Sequence, residues 1–344
     1  SIGFSCHKEK KGFYISEAER AFWEDKATIV IVVRNGSSTL DLCFDGLESQ
    51  HYKQYIHEIL FIDDSSSDDT VSKIKKFSTK ENYRVKLIQN FKSQGLAKNY
   101  NYALKKVSTP YCILMHQDIV LSDPDSYGKI LHPFFRNPNV VISHPVIIHP
   151  FRVWLQYNIW QKLLIGRLVN KPYPKFSGKF DAIKIIPNLY FDEISYRTAG
   201  EDLDYEQRAR KYGVVENSNL VIEHIHSLDS AFNWRDFLKK ESQLAECYGV
   251  NFRRYFSSIP VIDSLLLLFR IFLLALQIVV FFNPLLSLLV MLLIGVYLIL
   301  YPGKTYIYAF PDFRVFMIPI ITYISLYYYS YYFIRGFVHK KQLL

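Results

Sequence analysis

Cysteine is scarce in this sequence of 344 residues. The four cysteines lie far apart, at Cys6, Cys43, Cys112 and Cys247, and no two of them form a Cys-x-x-Cys pair. This spacing excludes the common zinc-binding motifs and the disulfide framework of a small secreted domain. We therefore expect the soluble part of the chain to reside in a reducing, cytoplasmic environment.

Two further features are missing. Lys and Arg are scattered despite a formal net charge of +9, and the chain lacks the long basic run typical of nucleic-acid binding, so we expect no nucleic-acid partner. Residues 1–14 contain no apolar core of signal-peptide length, and we expect no leader that carries the soluble part across a membrane. The positive charge is better suited to a surface that faces a bilayer.

Hydrophobic residues make up 50% of the chain, but they are unevenly distributed. Residues 1–260 have the composition of a soluble protein, whereas residues 261–334 consist almost entirely of Leu, Ile, Val, Phe and Tyr. The expected organisation is an N-terminal extension at 1–26, an α/β domain at 27–258 and a membrane region at 259–344.

The membrane region has the length of three transmembrane helices. Apolar stretches at about 261–282, 284–301 and 315–334 approach the roughly 20 residues that span a bilayer, and Asn283-Pro284 favours a tight turn. This arrangement predicts a multi-pass protein of the cell membrane with a cytoplasmic α/β domain. Three crossings place the basic C-terminal tail outside, against the positive-inside tendency. The alternative is that the first or the third stretch does not cross.

Basic and aromatic residues near the membrane region are candidates for contact with lipid or a membrane-anchored acceptor. Arg270 lies inside the first apolar stretch, where an unpaired charge is costly, and a lipid phosphate is one candidate partner. Arg253, Arg254 and Trp234 belong to an amphipathic helix predicted over residues 232–256.

Residues 151–171 predict a second membrane-facing element. On a helical wheel Val153, Tyr157, Trp160 and Leu164 share one face with Leu168, and every charged residue of the segment is basic. This pattern is typical of a helix that lies in the plane of the membrane interface. The alternative is a helix packed on the sheet.

Four apolar runs that end in polar residues predict parallel strands buried on both faces. The runs are 27–33, 58–62, 85–89 and 111–116. Ligands of open α/β sheets bind outside the carboxyl ends of the strands, so the residues that follow these runs are candidates for binding. They are Arg34, Asn35, Asp63, Asp64, Gly95, Lys98, Asn99, His116, Gln117 and Asp118.

The chemistry of these residues suits a phosphorylated nucleoside. Asp63 and Asp64 offer acceptors for base or ribose protons, Gly95 permits close approach of the backbone, and Lys98 offers a cation for a diphosphate. Asp118 is placed to hold a metal ion. Taken singly, each has a plainer interpretation, since acidic residues are also common in solvated turns and helix caps.

The order of the motifs resembles that of family 2 glycosyltransferases, which have the GT-A fold and invert the anomeric centre. RN follows the first run, DDSSSDDT the second, QGLAKNYNYA the third and HQD the fourth. The resemblance covers residues 27–122, which would form the nucleotide-sugar half, and resumes near 177 in an acceptor half at 123–258. It implies a nucleotide-sugar donor whose nucleoside site contains Arg34, Asn35, Asp63 and Asp64.

The resemblance also implies a divalent cation. Asp118 matches the second carboxylate of the family's Asp-x-Asp motif, whereas His116 replaces the first, which weakens the metal site by one charge. The imidazole favours Mn²⁺ over Mg²⁺. Lys98 stands in place of the usual Arg before Asn99.

A second resemblance to the family lies at Phe191-Asp192-Glu193 and at Gly200-Glu201-Asp202. Gly200 is expected to break the chain, and Glu201 and Asp202 to open a helix that runs to about Lys211. The helix dipole favours the anionic form of a carboxylate at this end, which suits a base. Asp202 is the expected catalytic base, and Glu201 is expected to shape the acceptor pocket. The alternative is that both merely cap the helix.

Two histidines end the short strand predicted over 221–226. Because His224 and His226 are two residues apart, they lie on the same face of the strand. Family members often have a histidine here that completes the metal site or contacts the diphosphate. A structural role is the alternative for both.

These observations predict a membrane-bound glycosyltransferase that transfers a sugar to a membrane-anchored acceptor, such as a lipid-linked saccharide in surface glycan assembly. The Gln-x-x-Arg-Trp motif of processive members is missing, so transfer of one or a few sugars is expected. The alternatives are a polyprenyl-phosphate sugar transferase resembling dolichol-phosphate mannose synthase, and an inactive scaffold.

Overall fold

The computed structural model describes residues 15–80, 82–196, 199–280 and 285–343. The predictions made for residues 1–14, including Cys6, and for the Asn283-Pro284 turn lie outside the described residues. Within them the chain folds as a mixed α/β sheet followed by C-terminal helices.

One eight-stranded sheet forms the centre of the α/β part, in the order β3-β2-β1-β4-β7-β6-β8-β5. The four strands predicted from the apolar runs are confirmed, and the second extends beyond both of its predicted ends. The strand predicted over 221–226 is the end of a longer strand that stops at His224, so His226 lies beyond it. The strands are β1 (Ala27–Val33), β2 (Ile56–Asp63), β3 (Val85–Gln89), β4 (Tyr111–His116), β5 (Ile119–Val120), β6 (Val140–Ile148), β7 (Phe180–Lys184) and β8 (Val214–His224).

Strand directions bring the carboxyl ends of most strands to one edge. β1 is parallel to β2 and to β4, β3 is also parallel to β2, and β6 is parallel to β8. β7 is antiparallel to both β4 and β6, so that β4, β6 and β8 run in the same direction. The carboxyl ends of β1, β2, β3, β4, β6 and β8 therefore share an edge, where ligands of such sheets bind.

Helices cover both faces of the sheet and continue beyond it. The α/β part contains α1 (Glu17–Trp23), α2 (Leu40–Glu48), α3 (Thr70–Ser78), α4 (Leu96–Leu104), α5 (Ser126–Arg136), α6 (Phe151–Trp154), α7 (Ile159–Ile165) and α8 (Glu201–Ala209). The C-terminal helices are α9 (Trp234–Tyr255), α10 (Val261–Val280), α11 (Leu285–Leu300), α12 (Lys304–Ala309) and α13 (Ile318–His339).

The single helix predicted over 151–171 is wrong. The segment forms the two short helices α6, which ends at Trp154, and α7, which Asn158 caps by accepting hydrogen bonds from the amides of Trp160 and Gln161. Trp160 is buried in a cluster with side chains of α9 and α10 rather than on the sheet. Leu168, expected on the apolar face, is exposed.

The C-terminal helix α13 packs closely along α9. A Cβ atom on Gly249 would lie 2.0 Å from the carbonyl oxygen of Phe333, and one on Gly336 would lie 2.0 Å from that of Glu246. The two glycines thus let the backbones approach each other. Nearby, Arg335 donates a 2.7 Å hydrogen bond to buried Glu246.

Among the described residues, one helix is long and apolar enough to cross a membrane. Residues 261–278 of α10 have a mean hydropathy of 2.2, and 17% of them are buried within the protein. The apolar helix at 286–300 is shorter. The prediction of three transmembrane helices is therefore not confirmed, and tyrosines make α13 too polar to meet the same criterion.

The predicted lipid contact of Arg270 is wrong, because its charge is paired inside the protein. Nη1 of Arg270 donates a 2.7 Å hydrogen bond to Glu241 of α9, and Tyr301 donates another of 2.7 Å to the same carboxylate. The guanidinium stacks on the rings of Tyr301 and Tyr329. Arg167 approaches the other oxygen of Glu241 at 3.3 Å.

Candidate active site

Pairing of β5 with β8 brings Asp118 and His224 together. Ile119 lies opposite His224 in this antiparallel pair, and the amide of Ile225 donates a 2.9 Å hydrogen bond to the carbonyl of Asp118. Nε2 of His224 lies 3.1 Å from Oδ2 of Asp118, and Nδ1 of His226 lies 3.9 Å from the same oxygen. The two predicted histidines thus both face the predicted carboxylate.

A third histidine, His149, joins this group, although the sequence motifs do not single it out. It follows β6, which is parallel to β8, so both strands deliver a histidine to one edge. The ring of His149 lies 4.8 Å from that of His224 and 5.5 Å from that of His226, measured between centroids. One ligand nitrogen from each of the three lies within 4.8 Å of the others.

The chemistry of this cluster fits a divalent cation. Buried atoms without a hydrogen-bond partner in the described structure include Nε2 of His116, Oδ1 of Asp118, Nδ1 of His149 and Nδ1 of His224. Burial lowers the pKa of His116 to about 3 and that of His149 to about 4. Burial also lowers the pKa values of His224 and His226 well below the ordinary value. Neutral imidazoles beside a carboxylate are suitable metal ligands.

Gln117 joins the end of β4 to the end of β1. Its Oε1 accepts a 2.8 Å hydrogen bond from the amide of Arg34, and its Nε2 donates one of 3.0 Å to the carbonyl of Arg34. The guanidinium of Arg34 donates to Oγ of Ser93 at 2.8 Å. Asn35 has a φ of 47° and accepts a hydrogen bond from the amide of Ser67. The four predicted donor-side loops are thereby held together.

Asp63 and Asp64 differ in their hydrogen bonding. Burial opposes ionisation of Asp64, but hydrogen bonds to its carboxylate outweigh it and hold its pKa at about 2. The donors to Asp64 are the amides of Gln94 and Gly95, Oγ of Ser93 and Nδ2 of Asn90, at 2.7 to 3.1 Å. Asp63 accepts longer contacts of 3.3 Å from the amide of Ser66. Asp64 therefore organises the loop before α4, and Asp63 keeps more capacity for a ligand.

The start of α4 places the remaining donor-side candidates. Gly95 precedes the helix with a φ of 88°, a conformation that favours glycine. Asn99 is buried, with Oδ1 accepting a 2.7 Å hydrogen bond from Asn90. Lys98 is exposed, and its ammonium has no carboxylate within 4.0 Å in the described residues.

Glu201 and Asp202 open α8 as predicted. Gly200 precedes them with a φ of 91°, and a Cβ atom there would lie 2.1 Å from Sγ of Cys247 on α9. Both the backbone conformation and the close helix contact therefore require glycine. Oδ1 of Asp202 accepts a 2.7 Å hydrogen bond from the amide of Leu203.

Burial decides the protonation of this acidic pair. It raises the pKa of Glu201 to about 7, with a further contribution from the neighbouring charge of Asp202. Burial also raises the pKa of Asp202, although the charge of Lys179 opposes the shift. The expected effect of the helix dipole is thus outweighed by desolvation. A raised pKa places a general base closer to neutral pH, where proton transfer is most efficient.

Aromatic contacts connect the acidic pair to the histidine cluster. Tyr100 of α4 stacks near His116 at 6.5 Å and contacts Phe191 at 5.4 Å, and Phe191 stacks on Tyr205 of α8 at 4.4 Å. Phe191 belongs to the Phe-Asp-Glu motif, so this motif packs between the two parts of the site. The carboxylate of Glu193 accepts a 3.0 Å hydrogen bond from Asn101.

The acceptor contact of Arg254 stays a prediction, and α9 carries its guanidinium against the Phe-Asp-Glu loop. It donates to Asp192 at 2.8 Å, to Asp204 of α8 at 3.2 Å and to Oγ of Ser195 at 2.5 Å. Arg253 donates to the carbonyl of Phe337 of α13 at 3.2 Å. These arginines join the C-terminal helices to the acceptor half.

Trp234 remains open to a ligand. It is half-buried at the start of α9 and lines a surface groove of about 360 Å³ together with Arg235, Lys239 and two tyrosines of α13, Tyr328 and Tyr332.

Comparison with known proteins finds a family match over the first part of this site. Residues 28–194 match the model of glycosyl transferase family 2. The matched residues contain β1 to β7 and therefore Asp118 and His149, whereas the acidic pair and β8 follow them in the chain.

Similarity to a known relative covers part of the chain. A stretch of 86 residues is 30% identical to EpsE of Bacillus subtilis (strain 168), a protein provisionally named a glycosyltransferase. The stretch represents 25% of this chain and 30% of the relative, so this chain spans less than a third of that protein's length.

Two solved structures of glycosyltransferases are similar to about two thirds of the chain. A mannosyltransferase from Pyrobaculum calidifontis, in complex with GDP-mannose and Mn²⁺, has a TM-score of 0.49 and 16% identity over 66% of this chain and 64% of its own. GalNAc-T7 with UDP, GalNAc and Mn²⁺ has a TM-score of 0.46 and 16% identity over 65% of this chain and 50% of its own. Similarities at this level assign neither a donor nor a metal to this chain.

Proposed function

We propose that this protein is a membrane-bound, non-processive, inverting glycosyltransferase. It would move a sugar from a nucleotide-sugar donor to a hydroxyl of a membrane-anchored acceptor, such as a lipid-linked saccharide in surface glycan assembly. The observation that carries the proposal is the cluster of Asp118, His149, His224 and His226, because its unpartnered ligand atoms lie at the carboxyl edge of a sheet that largely matches the family 2 glycosyltransferase model.

The donor is proposed to bind along this edge. Arg34, Asn35 and Asp63 would surround the nucleoside, and the histidine cluster with Asp118 would hold Mn²⁺ or Mg²⁺ at the diphosphate. The nitrogen-rich ligand set favours Mn²⁺. When bound, such a cation neutralises charge on the departing nucleoside diphosphate.

The acceptor is proposed to bind beside α8. Asp202 would take the proton from the acceptor hydroxyl as its oxygen bonds to the anomeric carbon and the bond from that carbon to the diphosphate oxygen breaks. Glu201 would shape the acceptor pocket. Attack from the face opposite the leaving group inverts the anomeric centre.

Helix α10 supports the membrane location of the acceptor. Its apolar side chains, among them Leu265, Leu266 and Phe272, are exposed on the protein surface, where a bilayer would cover them. The catalytic part is proposed to face the cytoplasm.

The test is hydrolysis of a panel of nucleotide sugars by the full chain in detergent, with Mn²⁺ and with EDTA. We expect one donor to be turned over, Asp118→Ala to reduce turnover at least about a hundredfold, and Asp41→Ala to leave it unchanged. Asp41 is a matched control because its carboxylate is exposed and far along the chain from the cluster. Absence of binding and turnover with every donor would contradict the proposal and favour an inactive scaffold.

Asp202→Asn distinguishes the class of acceptor. A neutral hydroxyl requires a base, so loss of transfer with retained donor binding supports the saccharide acceptor. Full transfer by Asp202→Asn to a polyprenyl phosphate, which needs no base, would instead favour the polyprenyl-phosphate sugar transferase.

A further inference from the structure

Lys179 lies directly opposite His116 in the sheet. The antiparallel register of β4 and β7 pairs Met115 with Phe180, and the next pair along is His116 with Lys179. The amide of His116 donates a 3.3 Å hydrogen bond to the carbonyl of Lys179, as this register requires. Residues so paired have neighbouring side chains on one face of the sheet.

That face is the one that carries the reaction site. Phe180 packs in the core cluster on the opposite side, and Asp181 is therefore on the same side as Lys179. Strand residues Leu114 and Ile183 on this side pack in one cluster with Tyr100 of α4 and Tyr205 of α8. Lys179 thus lies opposite His116 on the face of the sheet that α4 and α8 cover.

The backbone at Lys179 is held in place. Asp181 is fully buried, and its Oδ2 accepts hydrogen bonds from the amides of Ser177 at 3.2 Å and Lys179 at 2.9 Å. The hydroxyl of Tyr100 donates to the carbonyl of Gly178 at 2.9 Å. The side chain therefore begins from a fixed position.

The ammonium of Lys179 has no partner among the described residues. No carboxylate oxygen of the part of the chain that the structure describes lies within 4.0 Å of Nζ, although the side chain is half-buried. A carboxylate at position 116 would face this ammonium directly, whereas the imidazole of His116 carries no negative charge to pair with it.

We propose that Lys179 binds the diphosphate of the nucleotide-sugar donor and stabilises the leaving group next to the metal site. This inference rests on the proposed function. A half-buried cation without a partner among the described residues suits a phosphate oxygen, to which it donates charge-assisted hydrogen bonds. Lys179 would also supply positive charge to the diphosphate at a site where the loss of the carboxylate at position 116 weakens metal binding.

The test compares affinities of the full chain for nucleoside monophosphates and diphosphates by titration calorimetry with Mn²⁺. Uridine, guanosine, thymidine, cytidine and adenosine nucleotides are the probes. For the nucleoside whose nucleotides bind to wild type, we expect Lys179→Met to weaken binding of the diphosphate about tenfold or more. Binding of the monophosphate should weaken less than about twofold. Lys179→Arg should keep most of the preference for diphosphate.

Lys175→Met is the matched control, because Lys175 is an exposed lysine of the same segment that stacks on Tyr173. Its affinities should equal those of wild type. If Lys179→Met binds the diphosphate as tightly as wild type, the role of Lys179 is refuted while the proposed function stands. If wild type binds no nucleotide, the proposed function fails and the inference fails with it. Retained monophosphate affinity shows that the variant is folded.

Discussion

Nε2 of His224 lies 3.1 Å from Oδ2 of Asp118, across a pair of strand ends separated by more than a hundred residues of sequence. This contact depends on the two-residue strand β5, which aligns the residue after the HQD motif with the end of β8. Because β6 runs beside β8, the same edge also receives His149. The candidate metal site is therefore a product of sheet topology rather than of one local motif.

Replacing His149 by Ala should weaken Mn²⁺ binding about tenfold or more, since one of the clustered imidazoles is lost. The affinity can be measured by electron paramagnetic resonance of free Mn²⁺. His51→Ala is the control, because His51 is exposed and pairs with Asp125 away from the cluster. If His149→Ala binds Mn²⁺ as tightly as wild type, His149 is not a ligand of the metal ion.

The transfer rate should rise with pH through the neutral region. Burial raises the pKa of Glu201 to about 7 and raises that of Asp202, so acidification protonates the pair and removes the base. Glu201→Gln removes the adjacent negative charge and should move the acidic limb of the pH–rate profile to lower pH. The profile of kcat measures this effect. A rate that stays constant from about pH 5 to about pH 8 would exclude a base of this kind.

Breaking the Arg270–Glu241 pair should destabilise the protein rather than alter lipid binding. Arg270→Leu leaves buried Glu241 with the weaker and more exposed partner Arg167, and a broken buried pair costs about 3–5 kcal/mol. Thermal unfolding in detergent should show a clearly lower Tm. The double variant Arg270→Leu/Glu241→Leu should recover part of the loss, because no buried charge remains unpaired. If Arg270→Leu has wild-type stability and a raised KM for a lipid acceptor, the prediction that Arg270 contacts lipid would be supported instead.

The crossing of α9 and α13 should tolerate no side chain at Gly249. Gly249→Ala places a methyl group 2.0 Å from the carbonyl oxygen of Phe333, and separation of the helices should cost about 1–3 kcal/mol or more. Gly295→Ala is the control, since a Cβ there meets nothing within 4 Å. Equal Tm values for the two variants would show that the helices do not pack in this way.

The elements that the sequence predicted well are those with a strong local pattern. Strand ends and the Gly-Glu-Asp helix start follow from buried runs and from a glycine that must break the chain. Pairings between distant segments could not be predicted in this way. His149, Lys179 and the Glu241 partner of Arg270 acquire their roles from strand register and helix packing, which a single sequence does not specify.

The prediction of one helix over 151–171 was wrong for a different reason. The apolar spacing of the segment fits a single helix, but Asn158 caps the start of a second helix inside it. Helical periodicity alone does not reveal a cap within an apolar run. Burial, of which the sequence gives no measure, raises the pKa of Asp202 against the expected effect of the helix dipole.

The most direct test of the account is the affinity of the identified nucleotide-sugar donor for wild type, Asp118→Ala and Asp202→Asn, measured by calorimetry with Mn²⁺. The account predicts that Asp118→Ala weakens donor binding about tenfold or more, whereas Asp202→Asn keeps it within about twofold and loses transfer. Wild-type donor affinity in Asp118→Ala, or loss of it in Asp202→Asn, would contradict the separation of a metal-dependent donor site from an acceptor-side base.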